Sequence, residues 1–291
     1  MRVFVAGATG VIGQYLVPSL IAAGHEVTGT TRSPAKAAGL RQAGATPIIA
    51  DGLDRQAMLD AVQAAQPDVI VHQMTALAAM SDFRHFDQEF AVTNELRTKG
   101  TDYLLEAARL AGTRRFIAQS FIGWNNPRTG SPVKTEQDPL DPDPLPATRQ
   151  SMAAIRHIEE TVPGAVPEGL VLRYGMLYGH GASDSMLDIV RKRRMPVIGG
   201  GTGIWSFTEV TDAAAATAAA VTRGARGAGA ALRPVLRPRR LRVPARRRAE
   251  AADARHRRGH GHLVVHRGHR RRGGDSRGRD LRRARNLQHR R

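Results

Sequence analysis

The sequence predicts an α/β protein built on a doubly wound parallel sheet with helices on both faces. Two observations carry that expectation. Short apolar runs of strand length alternate with stretches of helical period, joined by short connections. The first of these runs enters its helix through three glycines, in Gly7-Ala8-Thr9-Gly10-Val11-Ile12-Gly13. A strand that feeds a helix through a glycine turn points free backbone N–H groups and the positive end of the helix dipole at one place.

The elements follow in order. Val3 to Ala6 reads as a buried strand, and a helix opens at Val11 with apolar Val11, Ile12, Tyr15, Leu16 and Leu20. Gly24, just past Ala23, is placed to end that helix, and Pro18 inside it predicts a kink. Glu26 to Thr30 is the second strand, Pro34 to Gly44 a helix, Thr46 to Ala50 the third strand, and Asp54 to Ala65 a helix. Asp68 to His72 is the fourth strand, followed by a long helical region ending in Glu95 to Ala111. Arg115 to Gln119 is the fifth strand, and Ala147 to Val162 a helix leading to a sixth. Phe121 to Pro146 holds six prolines and few apolar residues, so it reads as a long surface loop of the kind that covers sites. Within it, Trp124 either closes over a ligand or anchors the loop. A helix beginning near Ser185 ends in Arg191-Lys192-Arg193-Arg194, cations that complement its dipole or clamp a substrate phosphate. Asp212 to Val221 is an alanine-rich helix.

In such a Rossmann-type sheet, ligands sit beyond the carboxyl ends of the strands. Gly7 permits the tight turn, Gly10 the close approach of a pyrophosphate, and Gly13 the packing of helix on strand. Gly7, Thr9, Gly10, Val11, Ile12 and Gly13 are therefore the candidate diphosphate site. The end of the second strand has no acid to receive a ribose 2′-hydroxyl. It reads Thr30-Thr31-Arg32-Ser33, with Lys36 a turn later. Arg32 suits a 2′-phosphate, which favours NADP with NAD as second choice, unless it stacks on the adenine or faces solvent. Asp51-Gly52-Leu53-Asp54 follows the third strand. Asp54 is the better helix cap, which leaves Asp51 freer for a ligand.

The Gly-x-x-Gly-x-x-Gly spacing resembles the nucleotide turn of the short-chain dehydrogenase/reductase superfamily. Gly-Ala-Thr-Gly-Val-Ile-Gly is most similar to its extended, epimerase/dehydratase-like branch. Further matches spread over residues 3–220. The resemblance implies that Asp51 and Leu53 flank the adenine and that Val69-Ile70-Val71-His72-Gln73-Met74-Thr75, with Met74, lies along the nicotinamide half. His72 itself reads as a structural, strand-end histidine. Phe90-Ala91-Val92-Thr93-Asn94 with Gly100-Thr101 is similar to the family's Asn-x-x-Gly-Thr helix and implies a buried, hydrogen-bonded Asn94 beside the active site. Arg173-Tyr174-Gly175-Met176-Leu177-Tyr178-Gly179 resembles an Arg-x-x-x-x-Tyr-Gly segment on the substrate side. Ser206 to Asp212 resembles a Phe-Ile-His-Val-Asp-Asp segment, with Glu209 for His and Thr211 for Asp.

Catalysis departs from that pattern. The family's chemistry uses a Tyr with a Lys four residues later on one helix face, where the ammonium lowers the phenol pKa. The corresponding helix here has neither. The pair falls at Thr148 and Met152, or at Ser151 and Ile155, and none of Tyr15, Tyr103, Tyr174 and Tyr178 has a Lys four residues on. Arg149 and Arg156 either hold a substrate anion or belong, with His157, to a solvated face. Ser120 falls where the family keeps a hydroxyl on the substrate oxygen and is the one candidate catalytic residue.

Composition bounds the remainder. With no cysteine there is no disulfide, thiolate nucleophile or Cys-based zinc site, and no metal set is expected. No signal peptide and no membrane-length apolar run is evident, so a cytoplasmic protein without membrane attachment is expected. Residues 1–222 carry 20 Lys and Arg against 22 acids, whereas residues 223–291 carry 24 Arg, no Lys and 4 acids, so the net charge of +18 resides in the last quarter. That quarter lacks Lys, Phe, Tyr, Trp, Ile, Met and Thr, and Leu and Val make up only 10 of its 69 residues, too few to offset the entropy of ordering it. Arg, Ala, Gly and Pro are what G/C-only codons encode. Residues 223–291 therefore read as a disordered, non-native tail from a shifted frame, and residues 1–222 as an NAD(P)-binding domain with an incomplete substrate part. The rival reading is a genuine Arg-rich arm on nucleic acid. Three functions follow: an NAD(P)-dependent oxidoreductase, epimerase or dehydratase acting on a small carbonyl or sugar derivative; a non-catalytic NAD(P)-binding regulator; and a nucleic-acid binder through the tail. A homodimer is compatible with each.

Overall fold

The structure, a computed structural model, describes residues 1–77, 86–123, 125–127, 129–130, 134–135, 137–192 and 206–224. Trp124, Arg193, Arg194 and residues 225–291 lie outside the described residues. Six strands form one parallel sheet: β1 (Arg2–Ala6), β2 (Glu26–Thr31), β3 (Thr46–Ile49), β4 (Val69–His72), β5 (Arg115–Phe121) and β6 (Glu168–Tyr174), in the order β3-β2-β1-β4-β5-β6. Strand order reverses between β1 and β4, which pair from Val3↔Val69 to Ala6↔His72. A crevice opens at such a reversal, beyond the strand ends.

β1 and β4 are central because both their faces are apolar; Val3 to Ala6 and Val69 to Val71 are all buried. Two cores result. On one face Val3, Val5, Val69, Val71 and Ile117 pack with Leu16 and Leu20 of α1 (Gly13–Ala22) and Val210, Ala213 and Val221 of α9 (Val210–Arg223). On the other, Phe4, Ile70 and Phe116 meet Met58 of α3 (Arg55–Ala65), Leu104 of α6 (Thr101–Leu110) and Ile158 of α7 (Arg149–Thr161). On the first face, α2 (Pro34–Gln42) adds Leu40.

Helix ends follow their sequence signals. Gly24 takes φ +78°, its N–H donates to Ile21 O, and His25 N–H donates to Leu20 O, a Schellman closure that a left-handed glycine allows. α1 starts at Gly13 rather than Val11, and it runs unbroken through Pro18, which lies on its exposed side.

The expected helical region ending at Ala111 is present, with a local fault inside it. After the short α4 (Phe86–Glu89), residues 91–110 are helical without a break, as α5 (Ala91–Glu95), a π-turn over Leu96–Gly100 and then α6. Within the π-turn region Thr98 Oγ1 donates to Asn94 O and Thr101 Oγ1 to Arg97 O, bonds that compete with the regular ladder. Past β6, β7 (Met176–Tyr178) pairs in parallel with β8 (Phe207–Glu209), and α8 (Asp184–Arg191) lies between them in sequence.

Candidate dinucleotide site

The glycine turn leaves β1 at the strand-order reversal. Gly7 has φ +87°, and a Cβ there would lie 3.0 Å from backbone atoms of Gln73 and Met74, so only glycine lets the turn pass the segment leaving β4. A Cβ on Gly13 would lie 2.2 Å from Ala8 O, so glycine is also what seats α1 on the turn. Gly10 differs. It is exposed, and the nearest atom to its Cβ would be Gly7 O at 3.3 Å. The fold requires Gly7 and Gly13 to be glycine, whereas at Gly10 it sets a much weaker demand.

The adjoining helix start suits an anion. The start of α1 has no side-chain cap, and among the described residues the amides of Val11, Ile12 and Gly13 have no acceptor. Three unpaired donors at the positive end of a helix form an anion cradle. Two threonines of β2, missed as site residues in the sequence, hold the cradle in shape. Thr30 Oγ1 accepts from Gly7 N–H at 3.1 Å and Thr30 O from Ala8 N–H at 3.1 Å, while Thr9 Oγ1 donates to Thr31 Oγ1 at 3.1 Å. Their only sequence signal is hydroxyl side chains where buried strand residues are otherwise apolar.

Arg32 follows at the end of β2, exposed and, among the described residues, without a hydrogen-bond or ion-pair partner. Asp54 caps α3 through Ala57 N–H at 3.0 Å, whereas Asp51 only closes a turn by accepting from Leu53 N–H at 3.0 Å. Asp51, Leu53, Asp54, Arg55, Gln56 and Tyr103 line one open depression. Met74 presents its backbone to the glycine turn while its thioether packs against Gly52.

Past the ends of β4 and β5 lies a group of buried polar side chains, most of them paired with one another. His72 is buried; its Nδ1 accepts from Met74 N–H at 3.3 Å, which makes its Nε2 the donor to Leu96 O at 3.2 Å. Burial holds the imidazole neutral, with its pKa lowered to about 4 and the nearby Arg97 charge acting in the same direction. Ser120 is fully buried, its Oγ donating to Glu159 Oε1 at 2.7 Å, and Glu159 is clasped by Arg173 through bonds of 2.9 and 2.5 Å. Asn94 is buried, and its Nδ2 donates to Ser151 Oγ at 3.1 Å. Ser151 Oγ in turn donates to Asp87 Oδ1 at 2.9 Å, and Asp87 also accepts from the amides of Gln150 and Ser151, so it caps α7 from α4.

Glu159, Ile155 and Ser151 recur every four residues, so the α7 face that reaches Ser120 passes through the second of the two predicted dyad registers. Ser151 and Ile155 are both fully buried there. In the other register Met152 is buried and Thr148 bonds back to Leu145 O. Neither register offers a phenol or an ammonium. Tyr174 does not replace them: its hydroxyl is sealed against Ala213 O at 3.0 Å and Thr217 Oγ1 at 2.7 Å, and burial pushes the phenol well above its ordinary pKa. Arg156 Nη2 donates to Asp141 O and His157 pairs with Asp102 at 2.7 Å, so both serve the helix surface.

A β3-β2-β1-β4-β5-β6 sheet with an amide cradle at its reversal defines a dinucleotide-binding α/β protein. The chain belongs to the NAD dependent epimerase/dehydratase family, whose model matches residues 3–231. It is 44% identical over 232 residues to a Streptomyces 3-diazoavenalumate denitrifying reductase, spanning 78% of this chain and 74% of that protein. A Stigmatella aurantiaca 4-hydroxy-2-methyl-3-oxo-4-farnesyl-3,4-dihydroquinoline-1-oxide ketoreductase is 29% identical over 237 residues, 78% of this chain and 66% of the relative. Among solved structures, MoeE5 in complex with UDP-glucose and NAD superposes with a TM-score of 0.58 at 26% identity, over 78% of this chain and 74% of that one. The protein is thus an NAD-dependent oxidoreductase- or epimerase-like member of this family. No helix among the described residues is long and apolar enough to cross a membrane.

Proposed function

We propose that residues 1–222 form a nicotinamide-dinucleotide-dependent reductase or epimerase for a small carbonyl or sugar-type substrate, with NADP as the preferred cofactor. The observation that carries this is the cradle: three unpaired amides at the start of α1 beside Gly10, an exposed glycine whose added Cβ would meet only Gly7 O at 3.3 Å. When bound, the dinucleotide supplies or accepts the hydride. The chain's own residues do the rest: the turn amides hold the diphosphate, Asp51 and Leu53 flank the adenine, and Arg32 meets a 2′-phosphate. The substrate class is supported by one relative named as a ketoreductase and by the sugar nucleotide in MoeE5.

Fluorescence titration of NADPH and NADH, with NADPH oxidation followed against a carbonyl panel, tests this reading. Arg32→Ala is expected to weaken NADPH about tenfold and leave NADH unchanged; equal loss for both refutes the NADP preference. A second reading, cofactor binding without turnover, is favoured by one observation: α7 carries no phenol and ammonium in either register. Cofactor affinity with no oxidation across the panel selects it. The Arg-rich segment is read as foreign to this domain, and translation of the other two frames beyond codon 222 tests that. An apolar, aromatic continuation supports it, and its absence supports a native arm.

A further inference from the structure

Asn94 and Arg97 lie three residues apart across the junction of α5 and the π-turn, and both face inward. Arg97 is 4% exposed, its Nη1 has no acceptor, and among the described residues no carboxylate or carbonyl pairs with its guanidinium. Asn94 is 8% exposed; its Nδ2 donates to Ser151 Oγ, while its Oδ1 has no donor. A dehydrated guanidinium without a counter-charge is among the most costly groups a fold can carry. Once the fold has absorbed that cost, an arriving anion meets a donor that needs no further desolvation.

The place is suitable. Leu96 O binds His72 at the end of β4, and Gly100 abuts Gly52 and Met74, so the π-turn borders the carboxyl end of β4, where ligands of this sheet class sit. Both nitrogens of His72 are engaged, so it does not compete for the anion. One guanidinium balances the single charge of a carboxylate better than the two charges of a terminal phosphate. A bare carboxylate beside Asn94 Oδ1 would set acceptor against acceptor, whereas a hydroxyl on the next carbon would donate to it.

We propose that Arg97 and Asn94 form a subsite for a hydroxycarboxylate, the guanidinium receiving the carboxylate and Asn94 Oδ1 accepting from the adjacent hydroxyl. This deepens the proposed function, resting on it only in that the ligand is the substrate. The test uses the full chain with D-gluconate, which carries a hydroxyl on the carbon next to its carboxylate, as probe, and D-glucose and butyrate as partial mimics, in calorimetry and thermal denaturation; NADPH is titrated separately. The wild type binds D-gluconate at least tenfold more tightly than either mimic. Arg97→Met weakens D-gluconate at least tenfold without lowering the ligand-free Tm, since no protein partner is lost. Arg97→Lys retains part of the affinity, and Asn94→Ala removes the advantage over butyrate. No D-gluconate binding by the wild type, undiminished binding by Arg97→Met, or a large fall in its ligand-free Tm each overturns the subsite. If NADPH fails to bind while D-gluconate behaves as stated, the cofactor reading falls and the subsite stands.

Discussion

Adding one methyl group at each of two glycines separates what the fold needs from what a ligand needs. Gly10 has an ordinary backbone angle, and a Cβ there meets only Gly7 O at 3.3 Å, a contact relieved by a few tenths of an ångström. Gly10→Ala also restricts the unfolded chain, which contributes about 0.4–1 kcal/mol in favour of folding and offsets that crowding. Its Tm should therefore stay near that of the wild type. A diphosphate resting on the turn is pushed away by the methyl, however. Loss of one charge-assisted hydrogen bond costs roughly 1.5–3 kcal/mol, a ten- to hundredfold weakening of NADPH. Gly13→Ala behaves differently: its Cβ would overlap Ala8 O at 2.2 Å and Ala8 C at 2.5 Å. The start of α1 must move, at a cost on the order of 3 kcal/mol in stability. Fluorescence titration and urea denaturation on both variants measure these outcomes. NADPH affinity unchanged in a folded Gly10→Ala protein would refute the cradle, and unchanged stability in Gly13→Ala would refute the packing argument.

Further outcomes follow from the buried polar groups. The pKa of His72 is about 4 when folded against 6.5 as its ordinary value, so below pH 6.5 the unfolded chain binds a proton that the folded chain refuses. Stability is full above that pH and falls by roughly 3 kcal/mol as pH drops toward 4; a His72→Gln variant with the same acid slope would show that other groups cause it. Glu159→Ala strands Arg173 and Ser120 in the interior and should cost roughly 3–5 kcal/mol in urea denaturation. A loss under about 1 kcal/mol would place Glu159 among solvent-screened pairs instead. Tyr174→Phe removes only the bonds to Ala213 and Thr217, costing about 1 kcal/mol. Any NADPH oxidation should continue unaltered, and a selective loss of turnover would give Tyr174 a part in the chemistry.

The parts of this protein that were legible in the sequence are those whose signals are local. Three glycines at fixed spacing, Asp54 as a helix cap and Gly24 past a helix end each act within a few residues, and the structure places the turn, the cap and the helix end as expected. The helix ending at Ala111 was legible from the apolar Leu96, Leu104, Leu105 and Ala108, but the π-turn inside it was not. Period alone does not register the extra residue, and the hydroxyl-to-carbonyl bonds of Thr98 and Thr101 are visible only in three dimensions. Thr30 and Thr31 were weighed for what they lack, an acid, rather than for the hydrogen bonds with which they brace the turn.

The helix that departs from the family's pattern shows why the chemistry of this site was hardest to read. Sequence left two registers for α7, and a contact 39 residues away in the chain, Ser120 to Glu159, selects the one through Ser151 and Ile155. Ile155 on that face means that no ammonium is delivered from α7. The buried positive charge comes instead from the neighbouring π-turn, through Arg97, whose dehydration lowers its pKa to about 10. Arg97 sits on the inward stripe with Asn94, Thr101, Leu104 and Ala108, a position that the helical period marks as apolar. Arg97 was not singled out in the sequence; a charge at such a position is the signal by which it could have been found, since burying it without a partner opposes folding and calls for a compensating anion.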